Sequence, residues 1–389
     1  MMGALAAAHG GAHVLLYERE LEGPSNLRVS GGLFPGAGTR WQREAGIADD
    51  PATFARDIRA KGGRTANESI VDAVAKRCGE AIDFLADVCG IPVRVMTEVT
   101  APGHSVPRLH ATPAASGREL LALMRDAISK QKGITLRQEA VKGLEAFGTR
   151  PILLATGGFA ANKKLLREFI PEVADALHIG AGPNDGCAIE WARARGATVA
   201  GMDGYQGQGH VNPPGKTRLG MALPRFGAIL LNQKGERFVD EVKIGPSELA
   251  AVVLAQPGGR ALEVFDKRIH DLGMQQGPYR EAWEDGAVKV VNDLAELGVT
   301  APPELLSKFE RPLYAAWVTG ALAHTQGGLA VDSLARVIRA DGTPIEGLYA
   351  AGGAAAGLAG RGGEGYLPGN GLAQSFALGL IAGEEMSRK

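Results

Sequence analysis

Gly347-Leu348-Tyr349-Ala350-Ala351-Gly352-Gly353, followed by Gly369-Asn370-Gly371-Leu372, is the stretch that decides the reading of this chain. A short apolar strand runs into a glycine cluster, and a second glycine turn opens a small-residue helix over Leu372 to Glu385. Glycine lets backbone approach a ligand closely, because no Cβ holds it away. A helix that starts after such a turn offers free N–H groups and a positive dipole end to an electron-rich group. Together these features suit a flat, anionic cofactor gripped by backbone rather than side chains.

The matching piece lies at the other end. Gly3, a small-residue helix from Ala4 to Gly10, the turn Gly11-Ala12 and the strand His13-Val14-Leu15-Leu16-Tyr17 lead to Glu18. A dinucleotide-binding unit runs strand, G-x-G-x-x-G turn, helix, second strand, and then an acidic residue for the adenosine ribose. Met1-Met2-Gly3 holds only the last glycine of that motif, so the first strand and its G-x-G are missing from the expected pattern.

Composition sets bounds. A chain of 389 residues predicts two domains. A net charge of −1 argues against a nucleic-acid binder, which must neutralise phosphates. No apolar run reaches the roughly 18 residues of a membrane span, and no signal segment opens the chain. Cys78, Cys89 and Cys187 lie far apart, as reduced thiols of a cytoplasmic protein would. The order of elements is mixed α/β. Helices are predicted over 51–90, 117–131 and 186–197, and a buried strand over Ile152 to Ala155. Ala228 to Asn232 and Glu236 to Val239 read as a hairpin around Gln233-Lys234-Gly235. Residues 246–310 carry helical signals and charge, which suggests an inserted domain, and Gln206-Gly207-Gln208-Gly209 reads as a polar loop.

Seven short motifs in collinear order carry a resemblance. They are Glu18, Arg28-Val29-Ser30-Gly31-Gly32, Ala155-Thr156-Gly157-Gly158-Phe159, Asn184-Asp185-Gly186, Gly235-Glu236-Arg237-Phe238-Val239-Asp240-Glu241, His324-Thr325-Gln326-Gly327-Gly328 and Gly369-Asn370-Gly371. Over nearly the whole chain this resembles the fumarate reductase/succinate dehydrogenase flavoprotein family, which includes tricarballylate and 3-ketosteroid dehydrogenases. The resemblance implies an α/β, Rossmann-like FAD domain of the glutathione-reductase type, over 1–205 and 318–389. An inserted α+β capping domain would span 206–317, with substrate at the junction. FAD would be held non-covalently by Gly3, Glu18, Ser25, Asn26, Ser30, Gly31, Gly32, Thr156, Gly157, Asp185, Gly353, Gly369, Asn370, Gly371 and Leu372. Asp185 could equally cap the helix that follows it.

The implied chemistry is hydride exchange between flavin N5 and a CH–CH bond beside a carbonyl or carboxylate. His210 and His324 match the two substrate histidines of fumarate reductases. Gly245 stands where their proton-donating arginine would be, Arg361 is displaced, and Arg225 lacks its acidic partner. Tyr366-Leu367-Pro368-Gly369-Asn370-Gly371 resembles the Y-P-G-x-G of 3-ketosteroid dehydrogenases, in which a tyrosine hydroxyl and a glycine N–H hold a ketone oxygen. His324, Tyr366, His210 and Arg225 are therefore the catalytic candidates, with His104 and His110 as further groups that could reach the pocket. No base is assigned. No heme C-x-x-C-H or iron–sulfur cysteine set is present, so an external electron donor or acceptor is implied. The missing phosphate turn predicts weak FAD occupancy. A second reading is therefore a flavoprotein relic that no longer holds its cofactor.

Overall fold

The computed structural model describes residues 1–63 and 67–388. The chain opens with α1 (Met2–His9), β1 (Val14–Glu18), α2 (Pro51–Gly62), α3 (Glu68–Asp87), α4 (Gly117–Lys130), β2 (Ile134–Gln138) and β3 (Ile152–Leu154). It continues through β4 (Leu177–His178), α5 (Cys187–Arg193), β5 (Tyr205–Val211), β6 (Ile229–Leu231), α6 (Pro246–Leu254), β7 (Arg260–Phe265), α7 (Gly277–Glu284) and β8 (Lys289–Val291). It closes with β9 (Leu313–Thr325), β10 (Arg336–Ile338), β11 (Pro344–Ala350) and α8 (Asn370–Ser387). Fold class is mixed α/β. Two compact units form: Met1–Leu165 with Gly180–Tyr205 and His324–Lys389, and Leu166–Ile179 with Gln206–Ala323. Residues 166–179 join the second unit because β4 pairs in parallel with β9, Leu177 opposite Ala321.

In the first unit, β1 pairs in parallel with β2, and β3 pairs in parallel with β11, whose other edge takes β10. Helix α3 buries Ile70, Val71, Val74, Ala75, Cys78, Ala81, Ile82 and Leu85, the stripe expected of a core-facing helix. Asp50 caps α2 by accepting from the Thr53 N–H at 2.6 Å, with Pro51 in the first helical position. Residues 64–66, inside the predicted 51–90 helical span, lie outside the described residues. Helix α8 starts at Asn370, earlier than Leu372, because left-handed Gly369 (φ +86°) ends the preceding loop there. Helix α5 stops at Arg193, short of 197, where the chain turns through Gly196 at φ +87°.

Helix α1 lies against α8 on glycine. A Cβ on Gly383 would sit 2.5 Å from the Gly3 carbonyl oxygen, and one on Gly3 would sit 2.3 Å from Leu153 Cδ2. Gly3 therefore serves close packing of α1 on β3 and α8. That is the part the third glycine plays in a dinucleotide turn.

In the second unit, β6, β7, β9 and β8 form an antiparallel sheet, and β5 also pairs with β9. Residues 246–310 are mainly helical, as their sequence suggests, and they also carry β7 as an inner strand with Ala261, Leu262, Glu263, Val264 and Phe265 all buried. Two sequence expectations change here. Gln206 to Gly209 belong to β5 rather than to a loop. The hairpin after Ala228 is one bridge, Leu231 with Arg237. Glu241 explains this: its Oε1 accepts the Leu230 N–H at 2.7 Å, the donor a second strand would have engaged. The Arg237 guanidinium then pairs with that carboxylate at 2.6 Å.

Gly383→Val should lower unfolding free energy by about 1–3 kcal/mol through overpacking against α1. Gly277→Ala, whose Cβ meets nothing within 4 Å, should stay within about 0.5 kcal/mol of the parent. Thermal unfolding of both variants checks the pair.

Candidate active site

Ligands in open α/β sheets bind beyond the carboxyl ends of parallel strands. Strands β3 and β11 are parallel neighbours, and the glycine loops that follow them meet. Ala351 N–H donates to the Leu154 carbonyl, and a Cβ on Gly353 would lie 2.8 Å from the Gly158 nitrogen. Gly157 (φ +86°) faces the Asn184 side chain, which donates to the Ala181 carbonyl at 2.6 Å. Asn26 Oδ1 accepts the Ala181 N–H at 2.7 Å. Thr156 is exposed beside Cys187. Thus Asn26, Thr156, Gly157, Asp185 and Gly353 occupy one end of the first unit.

Other cofactor candidates have structural duties. Asp185 Oδ1 accepts the Cys187 N–H at 3.1 Å just ahead of α5, whose N-cap is the left-handed Gly186 (φ +74°), so Asp185 is not itself the N-cap. Ser25 Oγ accepts the Arg28 N–H, and Ser30 Oγ donates to the Leu27 carbonyl while accepting the Gly32 N–H. Gly32 (φ +64°) packs on backbone, since its Cβ would lie 2.5 Å from the Ser116 carbonyl carbon. Gly31 is exposed, and a Cβ there would meet only Leu33 at 3.8 Å. Glu18 is exposed at the carboxyl end of β1, where its Oε1 accepts the Glu20 N–H at 3.1 Å. Leu372 packs against a core formed by Met2, Leu5, Phe34, Leu120 and Phe376.

The second focus is the start of α8. Asn370 is buried at 1% exposure, yet neither amide atom has a partner. Beside it, the rings of His324 and Tyr366 meet edge to face at 5.8 Å and 72°. Burial pushes the Tyr366 hydroxyl up to about 12, partly offset by the Gly369 backbone, so it stays a proton donor. Burial also lowers the His324 imidazole from its ordinary value, which keeps it neutral. Gln326 Nε2 lies 3.1 Å from His324 Nδ1, and the Thr325 carbonyl oxygen lies 3.4 Å from the same nitrogen, so Nδ1 is engaged and Nε2 is the other edge. That edge faces Gly371, whose Cβ would stand 3.9 Å from Nε2. Gln326 had no role in the sequence reading. Its position two residues past His324 is a period-2 signal for a same-side neighbour.

His104 and His110 do not offer free ring atoms. Arg108, fully buried, donates from Nε and Nη2 to Asp49 at 2.8 Å and from Nη1 to Asp57 at 2.6 Å. The same Nη1 donates to His104 Nδ1 at 3.1 Å, so His104 Nε2 carries the hydrogen and donates to the Pro368 carbonyl at 2.9 Å. A buried ion cluster thus anchors the residue before Gly369. His110 donates from Nδ1 to the Arg108 carbonyl at 2.9 Å and accepts the Thr39 hydroxyl at 2.8 Å.

In the second unit, His210 is buried with Nδ1 2.9 Å from Glu263 Oε2. Arg225 is exposed near the end of a short helix, Ala222–Phe226. Gly245 precedes α6, with nothing within 4 Å of its would-be Cβ.

Residues 1–372 match the family model described as FAD binding domain. The chain belongs to this family. A probable fumarate reductase of Shewanella frigidimarina is 25% identical over 436 residues, covering 99% of this chain and 72% of that protein. The open conformation of a flavocytochrome c3 fumarate reductase shares the fold at TM-score 0.84 and 22% identity, over 100% of this chain and 76% of that one. A 3-ketosteroid delta1-dehydrogenase from Sterolibacterium denitrificans does so at TM-score 0.79 and 19% identity, over 100% and 97%. The protein is an FAD-dependent oxidoreductase. The residues present fit that cofactor: the buried, unpartnered Asn370 amide at a helix N-terminus and the joined glycine loops are a polar cradle that side chains would otherwise fill. No described helix is long and apolar enough to cross a membrane.

Acidification should expose the buried histidines. Burial holds His110 down at about 4, against 6.5 when free. Between those values the unfolded chain takes up a proton that the folded ring refuses. Stability present above pH 6.5 is therefore lost as pH falls toward 4. His110→Gln should reduce the loss of unfolding free energy between neutral and acid pH, by up to about 3 kcal/mol. Urea unfolding at both pH values reads it.

Proposed function

We propose that this flavoprotein adds or removes hydrogen across a C–C bond beside a carbonyl or carboxylate. Glu18, Ser25, Asn26, Ser30, Gly31, Thr156, Gly157, Asp185, Gly353 and the turn Gly369 to Leu372 are assigned to FAD. Residues 1–205 and 318–389 are assigned to the cofactor domain, and 206–317 to a capping domain. Bound FAD supplies a flavin ring that exchanges a hydride with the substrate.

One observation carries the reading: His324 and Tyr366, both neutral and both able to donate a hydrogen bond, meet beside the α8 N-terminus. Two such donors polarise a carbonyl oxygen and stabilise the negative charge that gathers there as the neighbouring carbon loses or gains a proton. Gln326 and the Thr325 carbonyl hold His324 Nδ1, which turns the Nε2 edge toward Gly371. Arg225, exposed in the second unit, is a cation for an acidic substrate group. The chain's relatives bear on substrate only by name, as reductases of fumarate and dehydrogenases of 3-ketosteroids. The Tyr366–Gly369 arrangement favours a ketone oxygen over a dicarboxylate. At Gly245 no arginine stands to deliver a proton, which makes fumarate a slow substrate. Electrons come from, or go to, a partner outside this chain. The three free thiols support a cytoplasmic setting.

Reduced, FAD-loaded protein should be reoxidised slowly by fumarate and faster by an enone. His324→Ala and Tyr366→Phe should each lower turnover at least tenfold, about 1.4 kcal/mol of transition-state stabilisation. Rapid fumarate turnover that survives both changes would overturn the site. The space around Gly245 and its φ of −72° admit a side chain, so Gly245→Arg should fold normally and raise fumarate reduction. A colourless protein that takes up no added FAD would instead support the relic reading.

A further inference from the structure

The proposed chemistry needs a group that exchanges a proton with the carbon next to the carbonyl, and the sequence names none. The second unit holds a pair suited to it. His210 on β5 and Glu263 on β7 are both buried, and their only mutual contact is Nδ1 to Oε2 at 2.9 Å. The remaining polar atoms, His210 Nε2 and Glu263 Oε1, are buried with no partner. A buried polar atom left bare costs about 1–3 kcal/mol, and native folds rarely leave two side by side. Glu263 is moreover the one charged residue within Ala261 to Phe265 of an inner strand. An apolar residue there would complete the core without penalty. Tyr279 also lies in electrostatic reach of Glu263. Burial and that carboxylate push its hydroxyl well above the ordinary tyrosine range, and it bonds to His270 Nδ1 at 2.8 Å. It is therefore held protonated and engaged.

We infer that His210 is the proton-exchanging residue of this enzyme and that Glu263 is its positioning residue. Glu263 accepts the Nδ1 hydrogen, which fixes the tautomer and leaves the Nε2 lone pair bare. A base whose second nitrogen is tied to a buried carboxylate gains a stabilised cation when it takes up a proton. In the oxidative direction the Cα–H bond breaks and its proton goes to Nε2. The bond's electron pair becomes the new C–C π bond, while the Cβ hydrogen leaves with its own pair as a hydride, which FAD would accept when bound. In the reductive direction Nε2–H returns the proton to Cα. The inference rests on the hydride-exchange reading above, but its structural half stands apart from it.

The test has two arms on the FAD-loaded protein. Long-range 1H–15N correlation of 15N-histidine-labelled protein, with His210→Gln for assignment, should show His210 protonated at Nδ1 and bare at Nε2. Glu263→Gln should shift it toward the Nε2–H form, and Glu263→Asp should restore the parent pattern. An Nε2–H tautomer in the parent overturns the inference, and this reading needs no variant of Glu263 to fold. The second arm is steady-state reduction of an enone. Glu263→Gln should lower kcat at least tenfold with KM nearly unchanged, with partial recovery in Glu263→Asp. Unchanged kcat in Glu263→Gln beside a tenfold loss in Tyr366→Phe overturns the assignment while sparing the hydride reading. If no enone or unsaturated acid reoxidises the flavin, the hydride reading fails and the first arm still decides the tautomer.

Discussion

The start of helix α8 is the constraint on which the first unit depends. Gly369 must be left-handed for the loop to enter the helix, and a Cβ there would lie 2.7 Å from Pro35 Cδ. Upstream, Pro368 is held by His104, which is held by Arg108, which is neutralised by Asp49 and Asp57. Downstream, Gly379 and Gly383 let α1 close on the helix. A buried ion pair contributes little net stability, because desolvation offsets attraction, but losing one partner costs several kcal/mol. The cluster is better understood as fixing geometry. It fixes the turn that presents Tyr366, Asn370 and Gly371.

Much of this was legible in the chain. The glycine turns, the strand ending on Glu18 and the helix after Gly369 follow from local backbone physics, and motif order gave the family. The hairpin after Ala228 is shorter than local patterning assigns, because Glu241, ten residues beyond Leu231, takes over a backbone donor of the first strand. Strand β7 was not singled out because a short apolar run with one acid satisfies helix and strand patterns alike. Gln206 to Gly209 read as a loop because two glycines look permissive. Gly209 instead serves close packing, since a Cβ there would lie 2.3 Å from Leu249 Cγ.

The site divides in the same way. His324 and Tyr366 were singled out by motif, and the structure brings their rings into edge-to-face contact. His104 and His110 looked available in sequence, but each ring has both nitrogens engaged. Glu263 carried a signal that was present and unread: a carboxylate among Leu262, Val264 and Phe265 needs a partner, and His210 supplies it. Such long-range pairings are set by sheet register, which no spacing rule exposes.

The most direct measurement compares stability and cofactor affinity in Asn370→Leu. The Asn370 amide, buried and unpartnered, is assigned to the bound FAD. Removing it should raise the melting temperature of the cofactor-free protein, because an unsatisfied amide leaves the core. The same change should weaken FAD binding at least tenfold, read by flavin fluorescence during titration. Opposite signs in the two measurements are the predicted result. FAD affinity equal to that of the parent would contradict the placement of the cofactor at this turn.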